Sequence, residues 1–340
     1  MPKHKPLSPS LLPRSDCVRQ PLSAPPLLKR RVGVLPVEHV PLILETTPNN
    51  DYALVDSGHG RKLERYGPYH IIRPEGQALW APAAPPNFWQ KADAIFTGNI
   101  DEEGMGRWQF PKQALGETWP LTWMGLNFFG RFTSFRHVGV FPEQDAHWRF
   151  LEHLLQRAPK KLRSQTPKKV LNLFGYTGLA SLIAARNEAH VTHVDASKKA
   201  ILWAKENQHQ AGLTDKPIRW ICDDAMKFVA REARRQSHYD LILLDPPAYG
   251  RGPNGEIWQI FDHLPQLLEY CRTLLTQKPL GIILTAYTIR SSFYGIHTLL
   301  RDTMANHGGV VESGELILRE ESANRVLSTS LFSRWIHENV

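Results

Sequence analysis

Downstream of residue 145, two kinds of apolar stretch take turns along the chain. Short and nearly continuous runs, VLNLF (170–174), HVTHV (190–194), PIRWI (217–221), YDLILL (239–244) and LGIILTAY (280–287), have the length and residue types of buried strands. Between them lie stretches with helical spacing, 178–187, 197–211, 224–235 and 257–275. The last is the clearest: Ile257, Ile260, Phe261, Leu264, Leu267, Leu268, Cys271, Leu274 and Leu275 recur at i, i+3, i+4 and i+7 and predict one buried face. A further helix is predicted over 145–157, where Trp148, Leu151, Leu154 and Leu155 share a face. Strand and helix in alternation predict a parallel sheet wrapped by helices on both faces. The chain ends differently. GELILRE (314–320) and VLSTSLFSRW (326–335), separated by the polar turn Glu321 to Asn324, predict a hairpin at the sheet edge, which a dehydrogenase-type nucleotide fold does not require.

Upstream the pattern changes. From 37 to 135, short apolar stretches (PLILE, YALVD, YHIIRP, ADAIFTG, RWQF) are broken by Gly, Pro and Asn-Asn, which predicts a smaller β-rich domain. Its Trp80, Trp89, Trp108, Trp119 and Trp123 can form either a base-stacking surface or the core of a domain with few aliphatic residues. Residues 1–36 hold eight prolines, with Lys3, Lys5, Arg14, Arg19, Lys29, Arg30 and Arg31 against the single acid Asp16. Such a stretch makes no regular element and reads as a flexible basic arm, lying on RNA phosphates or simply solvated. A second basic stretch, with Lys160, Lys161, Arg163, Lys168 and Lys169, follows Arg157. The expected division is therefore an arm (1–36), a β-rich domain (37–135) and an α/β domain (136–340).

The net charge of +8 over 340 residues adds a bias toward a polyanionic partner, and the 42% hydrophobic content excludes wholesale disorder. Cys17, Cys222 and Cys271 are widely separated and lack CxxC spacing, so neither a disulfide framework nor a zinc site is expected, and no metal is predicted. No apolar run reaches the roughly 18 residues that span a bilayer, and the N-terminus has no signal-peptide core; a soluble, cytoplasmic protein with no membrane partner is expected.

Three segments carry candidate chemistry. In LNLFGYTGLAS (171–181), an apolar strand runs into a two-glycine turn and a helix start. Gly175 and Gly178 are expected to let the backbone turn tightly and approach a ligand, with free helix N–H groups behind them. The dinucleotide fingerprint GxGxxG and the GxxxxGK[ST] phosphate loop are both absent, which disfavours a nicotinamide dehydrogenase. Asp195 ends the next strand, 20 residues after Gly175, where a carboxylate can accept from ribose hydroxyls or cap the helix that follows. In CDDAMKF (222–228), one of Asp223 and Asp224 can cap a helix while the other receives an adenine amino group; spacing favours Asp224 for the adenine. The most specific segment is DLILLDPPAYG (240–250). There Asp245 and the carbonyls of Pro246 and Pro247 can accept from the exocyclic amine of a nucleobase, and Tyr249 can stack on the base.

These segments, in this order and spacing, resemble class I S-adenosylmethionine-dependent methyltransferases, and most closely the large-subunit (23S) ribosomal RNA methyltransferases that carry DPP, one residue and an aromatic. GVFPEQDAHW (139–148) is similar to the G-x-F-x-D-Q-R segment that precedes the cofactor motif in that family, although His147 and Trp148 depart from its usual ending. The resemblance covers about 135–335. It implies a Rossmann-like sheet of seven strands with an antiparallel terminal hairpin, and S-adenosylmethionine as cofactor. It also implies that Phe174 to Gly178 meet the methionine part, Asp195 the ribose and Asp224 the adenine. The full cofactor set it implies is Gln144, Asn172, Phe174, Gly175, Tyr176, Thr177, Gly178, Asp195, Ala196, Asp223, Asp224 and Ala225, with Asp245, Pro246, Pro247 and Tyr249 at the acceptor.

Cytosine C5 methylation needs a thiolate that adds to the ring, and in relatives that do this the cysteine lies just after the fifth strand. Here that stretch is LTAYTIRSSF, with no cysteine. Transfer to a base nitrogen needs only alignment. The expected activity is N-methylation of a base in ribosomal RNA. The alternatives are a cytosine-C5 enzyme, a protein or small-molecule methyltransferase, or a non-catalytic ribosome-assembly factor that binds RNA.

Overall fold

The computed structural model describes residues 40–98, 106–157, 165–287, 289 and 291–338. The arm of 1–36, Cys17 and the basic residues Lys160, Lys161 and Arg163 lie outside the described residues. In chain order the first part comprises β1 (Leu42–Thr46), β2 (Tyr52–Gly58), β3 (Arg61–Tyr66), β4 (Tyr69–Pro74), a helical turn α1 (Pro86–Trp89), β5 (Ala94–Phe96), β6 (Trp108–Gln109) and the hairpin β7 (Thr118–Trp123) with β8 (Leu126–Arg131). There follow α2 (Asp145–Gln156), β9 (Lys169–Leu173), α3 (Leu179–Arg186), β10 (His190–Asp195), α4 (Lys198–Gln210), β11 (Ile218–Cys222), α5 (Ala225–Arg234) and β12 (Leu241–Leu244). The rest is a small hairpin β13 (Tyr249–Arg251) and β14 (Ile257–Gln259), then α6 (Ile260–Thr273), β15 (Gly281–Tyr287), α7 (Phe293–Thr303), β16 (Val310–Arg319) and β17 (Val326–Ile336).

Among the described residues the main sheet has the strand order β1-β16-β17-β15-β12-β9-β10-β11. Strands β15, β12, β9, β10 and β11 run parallel, and β17 returns antiparallel between β15 and β16. β12 and β15 are buried along their whole length. Helices cover both of their faces, so a continuous apolar run rather than an alternating one satisfies them. Successive side chains then divide between two cores, as the pleat requires. Leu171, Leu173, Ile242, Leu244, Ile282 and Leu284 pack with Phe228, Leu267, Leu268 and Leu300 of α5, α6 and α7. Val170, Leu241, Leu243 and Ile283 pack with Leu151, Leu182 and Ile183 of α2 and α3, and that cluster runs on through Tyr52, Trp119, Trp123 and Phe128. Trp119 and Trp123 are buried in that cluster, Trp80 and Trp108 pack against it, and Trp89 is buried in a separate cluster with Leu63 and Ile72, so the five tryptophans are core.

Two expectations need correction. The sheet has an eighth strand, β1, taken from the segment assigned to the N-terminal domain. It pairs in parallel with β16, Leu42 opposite Gly314, and supplies partners to an edge that would otherwise stay open. The close approach depends on Gly314, where a Cβ would stand 1.8 Å from the Leu42 carbonyl oxygen. The helix predicted from 257 begins instead at Ile260, because Ile257 and Trp258 form β14 opposite β13. Helix α7, which the apolar pattern did not announce, starts at Ser292, whose hydroxyl accepts from Tyr294 N. Among the described residues no helix is long and apolar enough to cross a membrane.

Gly314→Ala is expected to push β1 off the sheet, at a stability loss of about 1–3 kcal/mol from overpacking. Thermal unfolding together with hydrogen exchange at Leu42–Thr46 measures this; unchanged protection of β1 would contradict the pairing.

Candidate functional site

The parallel register brings the carboxyl ends of β9, β10, β11 and β12 to one edge: Leu173 lies opposite both Val194 and Leu244, and Asp195 opposite Cys222. The loop after β9 is sharply bent. Phe174 (φ 57°), Tyr176 (φ 49°) and Gly178 (φ 87°) are left-handed, a conformation that costs a side-chain-bearing residue about 1 kcal/mol or more. The bend is held by hydrogen bonds from Gly175 N to Val194 O (3.1 Å), Gly178 N to Gly175 O (3.0 Å) and Tyr176 N to Asp195 Oδ2 (2.8 Å). Asp195 Oδ1 also accepts from Ser197 N (2.8 Å), so this carboxylate fastens two loops at once. Burial pushes its pKa up, opposed by the two backbone N–H groups.

The two glycines make the tight turn expected of them, each for its own reason. Gly178 is needed for its positive φ as it opens α3. Gly175 is needed by what lies behind it, because a Cβ there would stand 2.4 Å from His193 Cε1. His193 is fully buried, and its Nδ1 lies 2.9 Å from Ser181 Oγ, which also accepts from Asn172 Nδ2 at 2.9 Å. Its ring sits against Trp220 at 4.7 Å, and burial brings its pKa down to about 3, so it is neutral.

One cleft is lined by Gln144, Asn172, Phe174, Gly175, Tyr176, Thr177 and Asp245, together with Phe141, His147 and Thr285. Gln144 is fixed from both ends: Nε2 donates to Tyr287 Oη (2.9 Å), and Oε1 accepts from Thr285 Oγ1 (3.4 Å). Thr177 Oγ1 donates to Gly139 O (2.6 Å), tying the loop to the segment before α2. Leu179 and Ala180 line the same cleft at the start of α3, where no side chain caps the helix, so its N-terminal dipole faces the cleft.

Beyond Asp195, Asp224 caps α5 through Oδ1, which accepts from Lys227 N (2.9 Å). Asp223 Oδ1 accepts from Asp224 N (2.8 Å), and its other oxygen is paired with Arg231. Ala225 is the buried first residue of α5, and Ala196 O receives the Cys222 thiol at 3.6 Å.

At the DPP segment the Pro247 carbonyl, expected to accept from a base, already accepts from Trp258 Nε1 at 2.7 Å. Trp258 in turn packs on Phe174, ring centroids 5.0 Å apart, and so joins this loop to the cofactor loop. Tyr249 lies in β13 opposite Gln259 and is not among the residues that line the cleft. Sequence reasoning missed Trp258, which falls inside the stretch 257–275 predicted as helix. It also missed Phe141 and Tyr287, whose rings stand 5.3 Å apart.

A family described as conserved hypothetical protein 95 matches residues 156–273. The ribosomal RNA large subunit methyltransferase K/L of Shewanella baltica is 41% identical over 108 residues, 32% of this chain and 15% of that protein. The Vibrio cholerae protein of the same name is 38% identical over 165 residues, 48% of this chain and 21% of that protein. The chain thus spans about a fifth or less of the length of these relatives. The crystal structure of the SAM-dependent methyltransferase from Agrobacterium tumefaciens is 61% identical, covers 90% of this chain and 97% of its own, and superposes with a TM-score of 0.83. A Streptococcus mutans protein assigned as a SAM-dependent methyltransferase shares the fold at 15% identity, with 84% and 75% of the two chains covered and a TM-score of 0.63.

His147 and His193 give the fold a pH dependence. Burial, aided at His147 by the Arg334 charge, holds both near a pKa of about 3. An unfolded imidazole takes a proton below about 6.5, so stability is full above that pH and is lost as pH falls from about 6.5 toward 3. Neither ring nitrogen of His147 has a hydrogen-bond partner among the described residues. His147→Leu should therefore remove about 2 kcal/mol of the loss seen at pH 5. Melting curves of both proteins from pH 5 to 8 check this, and parallel pH profiles would contradict it.

Proposed function

The chain belongs to the S-adenosylmethionine-dependent methyltransferases, and from that membership we propose that it methylates a base nitrogen of large-subunit ribosomal RNA. The observation that carries the choice of atom is the make-up of the cleft: Asp245 and Thr285 line it, and no cysteine lines it among the described residues. Cys271 is buried within α6, where burial pushes its thiol well up, and Cys222 lies exposed at the end of β11.

The cleft fits the cofactor. The uncapped start of α3 suits the carboxylate of a methionine chain. Asp195 uses two of its lone pairs on backbone N–H groups and keeps others for ribose hydroxyls, while the second oxygen of Asp224 remains for an adenine amine. When bound, S-adenosylmethionine supplies an electrophilic methyl group on a sulfonium. The residues of the chain position the acceptor. Asp245 accepts one N–H of the amine, the Pro246 carbonyl accepts another, and the nitrogen lone pair is thereby aimed at the methyl carbon. Trp258 keeps the DPP loop in register by holding the Pro247 carbonyl. Alignment of this kind accounts for most of the acceleration in a transfer that needs no covalent enzyme intermediate.

Ribosomal RNA as acceptor is supported by the names of the partial relatives and by the net charge of +8. In this reading the basic arm of 1–36 meets RNA phosphates, the β-rich segment of 37–135 adds to the RNA-facing side, and the protein works in the cytoplasm.

Labelled methyl transfer to 23S RNA from cells lacking the protein tests the proposal. Asp245→Ala should lower the rate on the order of 10² or more while leaving cofactor affinity nearly unchanged. Cys222→Ala and Cys271→Ala should stay within about tenfold of the parent. RNA affinity should fall steeply with salt, with a shallower slope after deletion of 1–36. Covalent trapping by RNA containing 5-fluorocytosine would overturn the base-nitrogen assignment.

A further inference from the structure

A second cleft opens beside the first, toward β3 and β4, and Val140 and Phe141 line both. The turn Pro142–Gln144 sends consecutive side chains to different places: Gln144 lines the first cleft and Glu143 the second. Glu143 is 5% exposed. Among the described residues no side chain donates a hydrogen bond to its carboxylate, which has only its own backbone N–H, and no cation lies within ion-pair distance.

The carboxylate just behind it shows what a satisfied acid looks like in this fold. Glu64 is fully buried and accepts from Tyr52 Oη (3.1 Å), Tyr66 Oη (3.0 Å) and Arg73 Nε (2.8 Å). The nearby cations are spoken for: Arg73 forks onto Glu64, and Lys62 Nζ pairs with Glu75 at 3.2 Å. Burial accordingly pushes the Glu143 pKa up, with Lys62 and Arg73 opposing. A buried carboxylate whose only donor is its own backbone N–H keeps acceptor capacity that water or a ligand can fill. Aromatic rings form part of the wall around it, the His137 and Phe141 ring centroids 4.8 Å apart and those of Phe141 and Tyr287 5.3 Å apart, and the charged side chains of Lys62, Arg73, Glu75 and Arg136 line it too.

We propose that this second cleft seats a nucleobase of the acceptor RNA, its face against the His137–Phe141–Tyr287 aromatics and its ring N–H donating to Glu143. The proposal rests on the RNA reading given above. It also selects among bases. Guanine and uracil present a ring N–H to a carboxylate, whereas adenine and cytosine present a ring lone pair at the equivalent position, which a carboxylate repels. Gln144 of the first cleft donates to Tyr287 of this seat, so a base held here fixes the register of the strand at the transfer centre.

The test uses the full chain saturated with S-adenosylhomocysteine, titrated with GMP, UMP, AMP and CMP and followed by saturation-transfer NMR. GMP and UMP are expected to bind at least tenfold more tightly than AMP and CMP. Glu143→Leu should abolish that preference while leaving the affinity for S-adenosylhomocysteine within twofold. This variant removes a buried charge that has no side-chain partner, so its melting temperature should equal or exceed that of the parent. If it nevertheless fails to fold, Glu143→Gln, which keeps the shape and one acceptor oxygen, should weaken the preference at least threefold. With RNA, Glu143→Leu should raise KM at least tenfold with kcat within threefold. Equal binding of the four nucleotides, no binding of any, or an unchanged preference in the variant would overturn the proposal. If the parent methylates RNA and Glu143→Leu does so equally well, the cleft proposal falls and the RNA reading stands. If GMP and UMP bind through Glu143 but no RNA is methylated, the RNA reading falls and the base seat stands.

Discussion

Asp195 is where three loops of the sheet edge are tied together. Its two oxygens accept from Tyr176 in the loop after β9 and from Ser197 at the start of α4, and its backbone carbonyl accepts from Asp223 after β11. Tyr176 sits at positive φ, a conformation that persists only where its surroundings over-determine it, and the bond to Asp195 is one of those constraints. Each backbone N–H also offsets part of the desolvation that raises the pKa of this acid. A cofactor arriving at this edge meets loops that are already ordered, so little of its binding energy goes into arranging them.

A second layer supports the first. Behind the cofactor loop, Asn172, Ser181 and His193 form a buried polar chain whose members come from β9, α3 and β10. The close packing of His193 is what makes a side chain at Gly175 intolerable. In front, Trp258 joins Phe174 to the Pro247 carbonyl, so the loop after β9 and the DPP loop rest on one indole. Movement of either loop therefore disturbs the other.

Much of this was legible from the chain alone, for reasons particular residues make plain. LILL and GIILTAY are apolar throughout because both sheet faces are covered, so they read as strands without reference to anything distant. FGYTG, Asp195, Asp224 and Asp245 each follow such a strand, and parallel topology then brings them to one edge. What escaped depends on contacts between segments far apart in sequence. β1 joins the main sheet because Gly314, some 270 residues away, leaves room for Leu42. Trp258 fell inside a stretch predicted as helix, yet it belongs to a strand whose partner is β13, just after the DPP turn. Gly175 was read for its tight turn and for backbone approach to a ligand, and the His193 ring packed behind it could not be seen from the sequence. Glu143 gave no signal, since its isolation appears only when Glu64 is seen to hold the nearby donors.

The most direct measurement is a crystal structure of the protein with S-adenosylhomocysteine. The account predicts the ribose hydroxyls on Asp195, the adenine amine on the free oxygen of Asp224, and the sulfur facing Asp245 and Pro246, with the loop from Phe174 to Gly178 unmoved. Adenosine bound elsewhere, or a cofactor loop that rearranges and releases Tyr176 from Asp195, would contradict it.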